Sequence, residues 1–313
     1  MHKLKLIFAG SGSFGLPTLR ALEAAGHTLA AVYTQPDRPA GRGKKLTPTP
    51  IAQYCDDRKL PVVRTVNINK EVLPAADAMV VIAFGQKISQ AVVGHTPLQA
   101  INLHASILPK YRGAAPIQRA LMSGETTTGN TIIRLADKMD AGKVLAVSQL
   151  AIHADETADE LHDRLAENGA PLVLETLANL SAGTASETEQ DHSRATHAAK
   201  ISRADSLLDF KRSAREVSGM FRGLSPWPGC RVELHAGATS WKFAVLRCKV
   251  AEGPGPGVAP GEFCRNGKEL FFGAGDGAVQ IIDIQPENSK PMSIFSYLNG
   301  RDLPQRGHVV SVL

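Results

Sequence analysis

Cysteine, aromatic residues and long apolar runs are all scarce in this 313-residue chain. The four cysteines (Cys55, Cys230, Cys248 and Cys264) are widely spaced and form no Cys-x-x-Cys pair, which argues against a disulfide framework or a compact zinc site. The first apolar run ends at Gly10, too early for a signal peptide, and no run approaches the roughly 20 residues of a membrane helix. We therefore predict a cytoplasmic protein whose cysteines are scattered small hydrophobic residues.

The chain also lacks a large excess of charge of either sign. The 35 Lys and Arg residues are nearly balanced by 30 Asp and Glu residues, which leaves a net charge of +5. With 43% hydrophobic residues, this balance excludes a disordered protein, which has lower hydrophobicity and a more one-sided charge. A chain of this length is expected to form about two domains. The mild positive excess favours an anionic partner but does not identify one.

The first half of the chain alternates β-rich runs with helical stretches. Runs at residues 4–9, 29–34, 79–84 and 100–103 predict buried strands. Strands that alternate with helices indicate an α/β domain with a mainly parallel sheet. Further along, Thr157 and Glu160 fit a capping box at the start of a long helix, which we expect to break near Pro171.

The second half has a different texture. Residues 181–194 are rich in Ser, Thr, Glu and Gln, which predicts a polar linker. After about residue 205, short β-like runs are separated by Gly and Pro, a pattern typical of a small all-β barrel. We therefore place the first domain at residues 1–183, the linker at 184–204 and the barrel at 205–313.

Three glycines near the start match the dinucleotide pattern G-x-G-x-x-G. Gly10, Gly12 and Gly15 follow a strand and precede a helix, which alone would suggest a nicotinamide-dependent dehydrogenase. That motif also needs an acidic residue at the end of the second strand, where this chain has Thr34 and Gln35. We therefore favour a tight strand-to-helix turn that requires small residues.

A long basic segment occupies residues 34–50. Its four prolines and two glycines predict an irregular loop. Arg38, Arg42, Lys44 and Lys45 stand against a single Asp37. Cationic loops suit contact with a phosphate backbone, and a solvated surface loop is the alternative interpretation. The position after a strand of an α/β sheet favours binding, because ligands bind at that edge.

The strongest candidate for chemistry lies at residues 102–104. Asn102 and His104 are two residues apart at the end of a predicted strand, so their side chains point to the same side. An Asn amide donates to a developing oxyanion, and a His transfers protons near neutral pH. Downstream, Asp140 beside Gly142 is suited to orient and polarise the histidine, although ordinary turn chemistry also explains it.

In these segments the sequence resembles the methionyl-tRNA formyltransferase family. The resemblance rests on residues 34–45, 102–118, 139–142, 200–202 and 224–229, and it covers nearly the whole chain. It implies a Rossmann-like formyltransferase domain followed by an OB-like β-barrel that binds tRNA. It also implies transfer of a formyl group from 10-formyltetrahydrofolate to the α-amine of methionine on initiator tRNA, in a reaction that needs no metal.

The resemblance also implies roles for individual residues. The residues that match the family's catalytic centre are Asn102, His104 and Asp140, and the segment that borders the folate contains Ser106, Ile107, Leu108 and Pro109. The tRNA acceptor stem is contacted by the loop with Arg38, Arg42, Lys44 and Lys45. One departure is at residues 11–13, where Ser-Gly-Ser replaces the family's usual Thr-Pro-Asp and creates the dinucleotide look-alike.

Cations also cluster where the chain enters the predicted barrel. Lys211, Arg212, Arg215 and Arg222 come first, followed by Arg231, Lys242, Arg247 and Lys249. We interpret them as an electrostatic groove for tRNA, with a solvated barrel surface as the alternative. Trp227, between two prolines, is expected to pack in a buried corner.

Three other functions are compatible with part of the sequence. The central block alone would permit a formyltransferase or deformylating hydrolase that acts on a small metabolite. The glycine spacing alone would permit a nicotinamide oxidoreductase, and the basic segments alone a non-catalytic RNA-binding protein. The tRNA formyltransferase, which we expect to be a monomer, accounts for all of these features together.

Overall fold

The computed structural model describes residues 2–41, 43–253 and 256–313. Tertiary contacts divide the chain into two compact units that interleave along the sequence. Unit 1 runs up to Gly113 and includes Gly129–Leu150 and His162–His197, and unit 2 comprises Ala114–Thr128, Ala151–Leu161 and Ala198–Leu313. The linear boundaries at residues 183 and 205 stay a prediction about the sequence domains.

Strands and helices are distributed along the whole chain. The strands are β1 (Lys5–Gly10), β2 (Thr28–Thr34), β3 (Arg38–Ala40), β4 (Lys45–Thr47), β5 (Val62–Arg64), β6 (Ala78–Ile82), β7 (Ala100–His104), β8 (Arg112–Gly113), β9 (Thr127–Arg134), β10 (Val144–Ala151), β11 (His197–Ala198), β12 (Cys230–Ala236), β13 (Thr239–Val250), β14 (Glu262–Asn266), β15 (Glu269–Ala274), β16 (Gly277–Pro286), β17 (Met292–Ser293) and β18 (Arg306–Val312). The α-helices are α1 (Leu16–Ala24), α2 (Pro50–Arg58), α3 (Gln90–Val93), α4 (Pro116–Met122), α5 (Ala158–Ala182), α6 (Ala214–Gly223) and α7 (Ile294–Gly300). Within the described residues, none of these helices is long and apolar enough to span a membrane.

Seven strands of unit 1 form one sheet in the order β10-β9-β7-β6-β1-β2-β5. Strand β1 pairs in parallel with β2 and β6, β6 pairs in parallel with β7, and β7 pairs with β9 in the antiparallel direction. Strand β6 is buried throughout, as expected of a strand covered on both faces. This confirms the predicted Rossmann-like, mainly parallel sheet. The chain order reverses between β1 and β6, and ligands bind at such points beyond the carboxyl ends of the strands.

Helix α5 packs against strand β7 through a glycine. A Cβ atom on Gly169 would lie 2.6 Å from a methyl carbon of Leu103, so the helix approaches the strand closely. Thr157 donates its backbone N–H to the Glu160 carboxylate over 2.9 Å, the half of the predicted capping box that the glutamate supplies. The expected break near Pro171 is wrong, because the helix continues to Ala182. Buried residues on both sides of the proline, Leu165 and Val173 among them, hold the two halves in place.

Unit 2 contains the barrel. Strands β13, β12, β18, β14, β15 and β16 pair in that order, and β16 pairs back with β13 to close six strands. Fully buried phenylalanines at positions 243, 263 and 272 fill the interior, and Phe221 of α6 packs against Phe272 with ring centroids 6.2 Å apart. The barrel confirms the predicted OB-like second domain.

The basic segment contains regular structure, contrary to the expected irregular loop. Strands β3 and β4 form an antiparallel hairpin in which Arg38 pairs with Thr47 and Ala40 with Lys45. Proline 39 has no N–H to donate, yet it is tolerated because the hairpin is a separate two-stranded ribbon in which both strands are edges. We refer to residues 38–47 as the basic hairpin.

The expected burial of Trp227 is also wrong. Its side chain is 58% exposed, whereas Leu224 and Cys230 on either side of the corner are fully buried. The amide of Gly229 donates to the Leu224 carbonyl over 2.8 Å and closes the turn between them. Because those two residues take the inward positions, the tryptophan lies at the tip of the turn.

All four cysteines are buried and unpaired, as the sequence predicts. Burial raises the pKa of the Cys55 thiol to about 11 and that of Cys230 and Cys248 to about 12. Since the thiolate is the reactive form, we expect these three cysteines to resist alkylation at neutral pH in the folded protein and to react once it is unfolded. Mass spectrometry after iodoacetamide treatment, with and without denaturant, checks this. Rapid labelling of the folded protein would contradict the buried placement.

Candidate active site at the end of strand β7

Strand β7 ends with the two polar residues singled out from the sequence. Asn102 is half-buried and His104 is buried, and they share one face because successive residues of a strand alternate. Leu103 points to the opposite face, where it meets α5. The neighbouring strands hold this end in place, since Asn102 pairs with Val81 of β6 and His104 with Thr131 of β9.

Both ring nitrogens of His104 face a fixed acceptor. The Nε2 atom lies 2.9 Å from the backbone oxygen of Tyr111, and the Nδ1 atom lies 3.7 Å from Oδ2 of Asp140. A carbonyl oxygen only accepts, so Nε2 carries a hydrogen and donates to Tyr111. The 3.7 Å separation is an ion-pair distance rather than a hydrogen bond. Asp140 therefore faces the nitrogen at which the ring gains or loses its proton.

Asp140 is placed by a strained turn. Its φ of +51° lies in the left-handed region, which Asp tolerates better than most residues. Its Oδ2 atom accepts the N–H of Gly113 over 2.8 Å. Gly142 is required for close approach, since a Cβ atom there would lie 1.9 Å from the Arg134 backbone oxygen. The glycine thus lets the turn lie directly against strand β9.

The chain after His104 folds into a turn that two hydroxyl groups organise. Ser106 donates to the Lys110 carbonyl over 2.7 Å, and Thr131 donates to the Ser106 carbonyl over 2.6 Å. Both side chains are fully buried. The sequence did not single out Thr131, because β9 also contains Thr127, Thr128 and Asn130 and nothing local distinguishes this hydroxyl from theirs. Nor did the sequence single out Arg112 and Gln190, which hydrogen-bond to each other.

The four residues expected to border a folate divide into two kinds. Ser106 and Leu108 are buried, and the hydroxyl of Ser106 is committed to the turn. Ile107 and Pro109 are partly exposed beside the end of β7. Ile107 and Pro109 therefore expose apolar surface, and the buried residues Ser106 and Leu108 hold the segment in place.

The glycine-rich turn after β1 has no carboxylate at the position a dinucleotide ribose needs. A Cβ atom on Gly10 would lie 2.9 Å from the Ile82 carbonyl, so a small residue is required there. The Ser11 hydroxyl donates to the Phe84 carbonyl and accepts the Gln35 N–H, each over 3.1 Å. At the end of β2, the Thr34 hydroxyl meets Thr49 at 2.7 Å. This geometry supports a tight turn between strands rather than a nicotinamide site.

The basic hairpin presents its cations to solvent. Arg38, Lys44 and Lys45 are exposed, and Arg42 lies outside the described residues. Arg38 donates to the side-chain oxygen of Gln35, whose amide nitrogen donates to the Phe84 carbonyl over 2.9 Å. The base of the hairpin is therefore attached to the loop that follows β6.

The cations of unit 2 differ in availability. Lys211, Arg212 and Arg215 are exposed, and Arg212 forms an ion pair of 3.5 Å with Glu216 one helical turn away. Lys242 lies 3.6 Å from Glu233, and Lys249 lies 3.3 Å from Glu252.

Two arginines expected to line the tRNA groove are not available to it. Arg222 is 5% exposed and donates to the backbone oxygens of His153 and Glu156, and burial lowers the pKa of its guanidinium. Arg247 is held by three carboxylates, those of Glu160, Asp155 and Asp283. The prediction that these two arginines line the groove was therefore wrong. Arg222 is buried and hydrogen-bonded to backbone oxygens, and the charge of Arg247 is neutralised by its carboxylate partners.

The part of the chain that the structure describes contains no cluster of three or more His, Cys, Asp or Glu side chains arranged to hold a metal ion. The described groups of the candidate site are instead an amide, an imidazole and a carboxylate, gathered around the end of one strand. Such a set donates hydrogen bonds, moves protons and orients a nucleophile.

Comparison with known proteins places both parts of the chain. The family model described as "Formyl transferase" matches residues 3–177, and "Formyl transferase, C-terminal domain" matches residues 200–302. The methionyl-tRNA formyltransferase of Methylococcus capsulatus is 38% identical over 96% of this chain and 98% of its own length. That of Sinorhizobium medicae is 40% identical over 95% and 96%, respectively.

A solved structure with a similar fold is the N-formyltransferase from Helicobacter canadensis in complex with folinic acid and dTDP-3-aminofucose. It matches with a TM-score of 0.67 at 16% identity, and the match covers 90% of this chain and 99% of the other. Identity this low supports a shared fold, whereas the sequence relatives carry the information on activity.

Proposed function

The chain belongs to the formyl transferase family, and we propose that it transfers the formyl group of 10-formyltetrahydrofolate to the α-amino group of methionyl initiator tRNA. The observation that carries this proposal is that similarity to methionyl-tRNA formyltransferases continues through the second unit, at 38% identity over 96% of the chain. The reaction belongs to translation initiation.

His104 is the group that handles the proton. An α-amino group has an ordinary pKa of about 7.7–8.0, so a useful fraction is already an unprotonated nucleophile at neutral pH. As the amine attacks the formyl carbon, its nitrogen becomes acidic and must lose a proton. In neutral His104 the ring hydrogen is on Nε2, which donates to Tyr111, so Nδ1 carries no hydrogen and accepts that proton. Asp140, 3.7 Å from Nδ1, then stabilises the imidazolium by charge attraction.

Asn102 stabilises the negative charge that develops on the formyl oxygen. Its side-chain amide lies on the same face of β7 as His104 and is half-buried, so it remains accessible to a substrate at the end of the strand. A donor fixed before the reaction begins lowers the barrier, because it costs no reorganisation as charge develops. The adduct collapses when the bond between the formyl carbon and N10 of the folate breaks, and N10 leaves with the proton that the His104 imidazolium returns. The reaction requires no covalent enzyme intermediate.

The formyl donor is a folate, which supplies an activated one-carbon group. We propose that Ser106, Ile107, Leu108 and Pro109 border it, with Ile107 and Pro109 providing the accessible apolar surface. This placement puts the donor next to the carboxyl end of β7. We further propose that the enzyme needs no resident metal, acts as a monomer and resides in the cytoplasm.

The tRNA is bound through charge. We propose that Arg38, Arg42, Lys44 and Lys45 of the basic hairpin contact the acceptor stem and that Lys211, Arg212 and Arg215 of unit 2 contact the tRNA backbone. Exposed lysines and arginines suit phosphate contacts because such contacts need charge more than fixed geometry. Arg222 and Arg247 are not among the proposed contacts, because Arg222 is buried and Arg247 is paired with three carboxylates.

Competition between acceptors tests the proposed function. We expect charged initiator tRNA to be formylated with a kcat/KM at least about 10³ times that for free methionine, because the tRNA supplies binding energy that the amino acid lacks. A control with the same tRNA left uncharged should accept no formyl group. Equal or better use of a small amine, such as an amino sugar nucleotide, would instead establish the alternative, a formyltransferase for small metabolites.

A further inference from the structure

A glutamine in the segment that follows α5 is hydrogen-bonded to the turn that carries Asp140. Gln190 is 7% exposed. Its Nε2 atom donates to the backbone oxygens of Asp140 and Gly142 over 2.9 and 2.7 Å. The sequence predicted a polar linker here, whereas the chain is tied to unit 1 two residues earlier as well, where Thr188 and Val144 exchange backbone hydrogen bonds.

The other end of the same amide holds an arginine on strand β8. The Oε1 atom of Gln190 accepts from Nε and Nη2 of Arg112 over 3.1 and 2.6 Å, and Nη2 also donates to Nδ1 of His192 over 2.9 Å. Arg112 is 6% exposed, so its guanidinium depends on these bonds for solvation. We refer to Gln190 and Arg112 together as the clasp.

The clasp joins the two backbone segments that hold the imidazole of His104. Arg112 lies between Tyr111, whose oxygen accepts from Nε2 of His104, and Gly113, whose N–H donates to the Asp140 carboxylate. Gln190 fixes the backbone of Asp140 itself. The clasp is therefore connected to both partners of the imidazole. Arg112 is the chain neighbour of Tyr111, and Gln190 hydrogen-bonds to the backbone of Asp140.

This attachment matters because the Asp140 turn is not relaxed by itself. Its backbone is in the left-handed region and lies against strand β9 through Gly142. Strained conformations persist when the surroundings over-determine them. Without the clasp, two carbonyls lose their buried donor and the turn loses the contact that opposes its relaxation.

We propose that Gln190, acting with Arg112, is a positioning residue that sets the separation of Asp140 from the imidazole of His104 during formyl transfer. This inference rests on the proposed function, since it assigns His104 and Asp140 their roles in that reaction. The clasp touches neither the formyl donor nor the acceptor amine. Its effect is on the rate of the chemical step rather than on substrate binding.

The proposal is tested by measuring how much a substitution of Gln190 changes kcat and how much it changes KM. In Gln190→Ala we expect kcat for formylation of methionyl initiator tRNA to fall about 10- to 100-fold, because displacements near 1 Å at a catalytic group cost up to about 10²-fold. The KM values for tRNA and for 10-formyltetrahydrofolate should stay within about twofold. A fall in kcat of less than about threefold, or an effect confined to KM, would overturn the proposal.

A second variant at the same position separates positioning from loss of structure. Gln190→Glu keeps the acceptor for Arg112 and so preserves the burial of the guanidinium, but its carboxylate cannot donate to the two carbonyls. We expect it to be as slow as Gln190→Ala, while its thermal unfolding temperature falls less than that of Gln190→Ala because Arg112 keeps a charged partner. Recovery of wild-type kcat in Gln190→Glu would contradict the role of the donated bonds.

Glu187→Ala is the matched control. Glu187 belongs to the same segment and forms ion pairs with Arg134 and Lys143 over 2.8 and 3.8 Å, and neither pair involves Asp140 or Gly142. Its kcat should match the wild type, and an equal loss would mean that anchoring of the whole segment, not the clasp, is what matters. The wild-type enzyme in the same assay separates the two claims, because an inactive wild type would refute the proposed function, whereas an active wild type with an unaffected Gln190→Ala would refute only the clasp.

Discussion

Replacing His104 by alanine is expected to lower kcat by about 10²–10⁴-fold and leave the protein folded. The residue is at the last position of β7, where the strand pairing depends on backbone groups that the substitution retains. The substitution removes the imidazole that, among the described residues, faces Asp140. It thereby removes the group that accepts the proton from the attacking amine. Single-turnover formylation of methionyl initiator tRNA, measured together with thermal unfolding, checks this.

A control histidine makes the comparison specific. His95 also uses Nε2 to contact a backbone carbonyl, that of Pro74 at 3.1 Å, but it is exposed and precedes the amino end of β7, whereas His104 lies at the carboxyl end. His95→Ala should therefore retain wild-type kcat.

Variants of the other two catalytic residues should also lose turnover. We expect kcat to fall by about 10²–10³-fold in Asn102→Ala and by about 10²-fold or more in Asp140→Asn. Near-normal turnover of His104→Ala would remove it from the mechanism.

Asparagine is the informative replacement at position 140. Asn shares with Asp a tolerance of the left-handed backbone conformation, so the turn should survive the change. The amide retains an oxygen that can accept the Gly113 N–H but carries no charge toward Nδ1 of His104. A loss of turnover in this variant thus reports the carboxylate charge rather than a collapsed turn.

Removing the exposed cations of the basic hairpin should weaken tRNA binding by about 10²–10³-fold at 0.1 M salt. In the triple variant Arg38→Ala, Lys44→Ala, Lys45→Ala, each lost phosphate contact also reduces the slope of log affinity against log salt by about 0.9. We therefore expect the KM for tRNA to rise, the salt dependence to flatten, and kcat at saturating tRNA to change little. These side chains are exposed, so the fold should not suffer.

The matched control for the hairpin removes as many charges from another surface. Lys3, Lys59 and Lys70 are exposed residues of the same unit. Their triple alanine variant has the same net charge as the hairpin variant, so any effect of overall charge appears equally in both. If both triple variants weakened tRNA binding to the same extent, the hairpin would contribute only to the general field of the protein and would not be a contact surface.

The sequence predicted the central chemistry because that chemistry depends on local spacing. Asn102 and His104 alternate with buried Ile101 and Leu103, and a two-residue period determines which side chains share a face. Family resemblance then supplied the roles, including that of Asp140, and the structure places its carboxylate 3.7 Å from the histidine. Local pattern and resemblance together were enough for the fold class and the order of the two domains.

The errors arose where long-range partners decide the outcome. Arg247 reads as a free cation in a basic stretch, yet Asp155, 92 residues earlier, neutralises it together with two other carboxylates. Gln190 lies in a stretch whose composition is that of a linker, and nothing nearby in the sequence indicates that Arg112, 78 residues earlier, hydrogen-bonds to it. Composition describes what a segment offers, but tertiary pairing decides what remains available.

The most direct test of the account follows a labelled formyl group. Purified protein is incubated with methionyl initiator tRNA and 10-formyltetrahydrofolate labelled in the formyl carbon, and the label is located after the tRNA is separated and its aminoacyl bond hydrolysed. We expect label on the methionine amine, in amounts that fall by at least about 10²-fold in His104→Ala at equal times. Label that stays on the folate, or that is released as free formate, would contradict it.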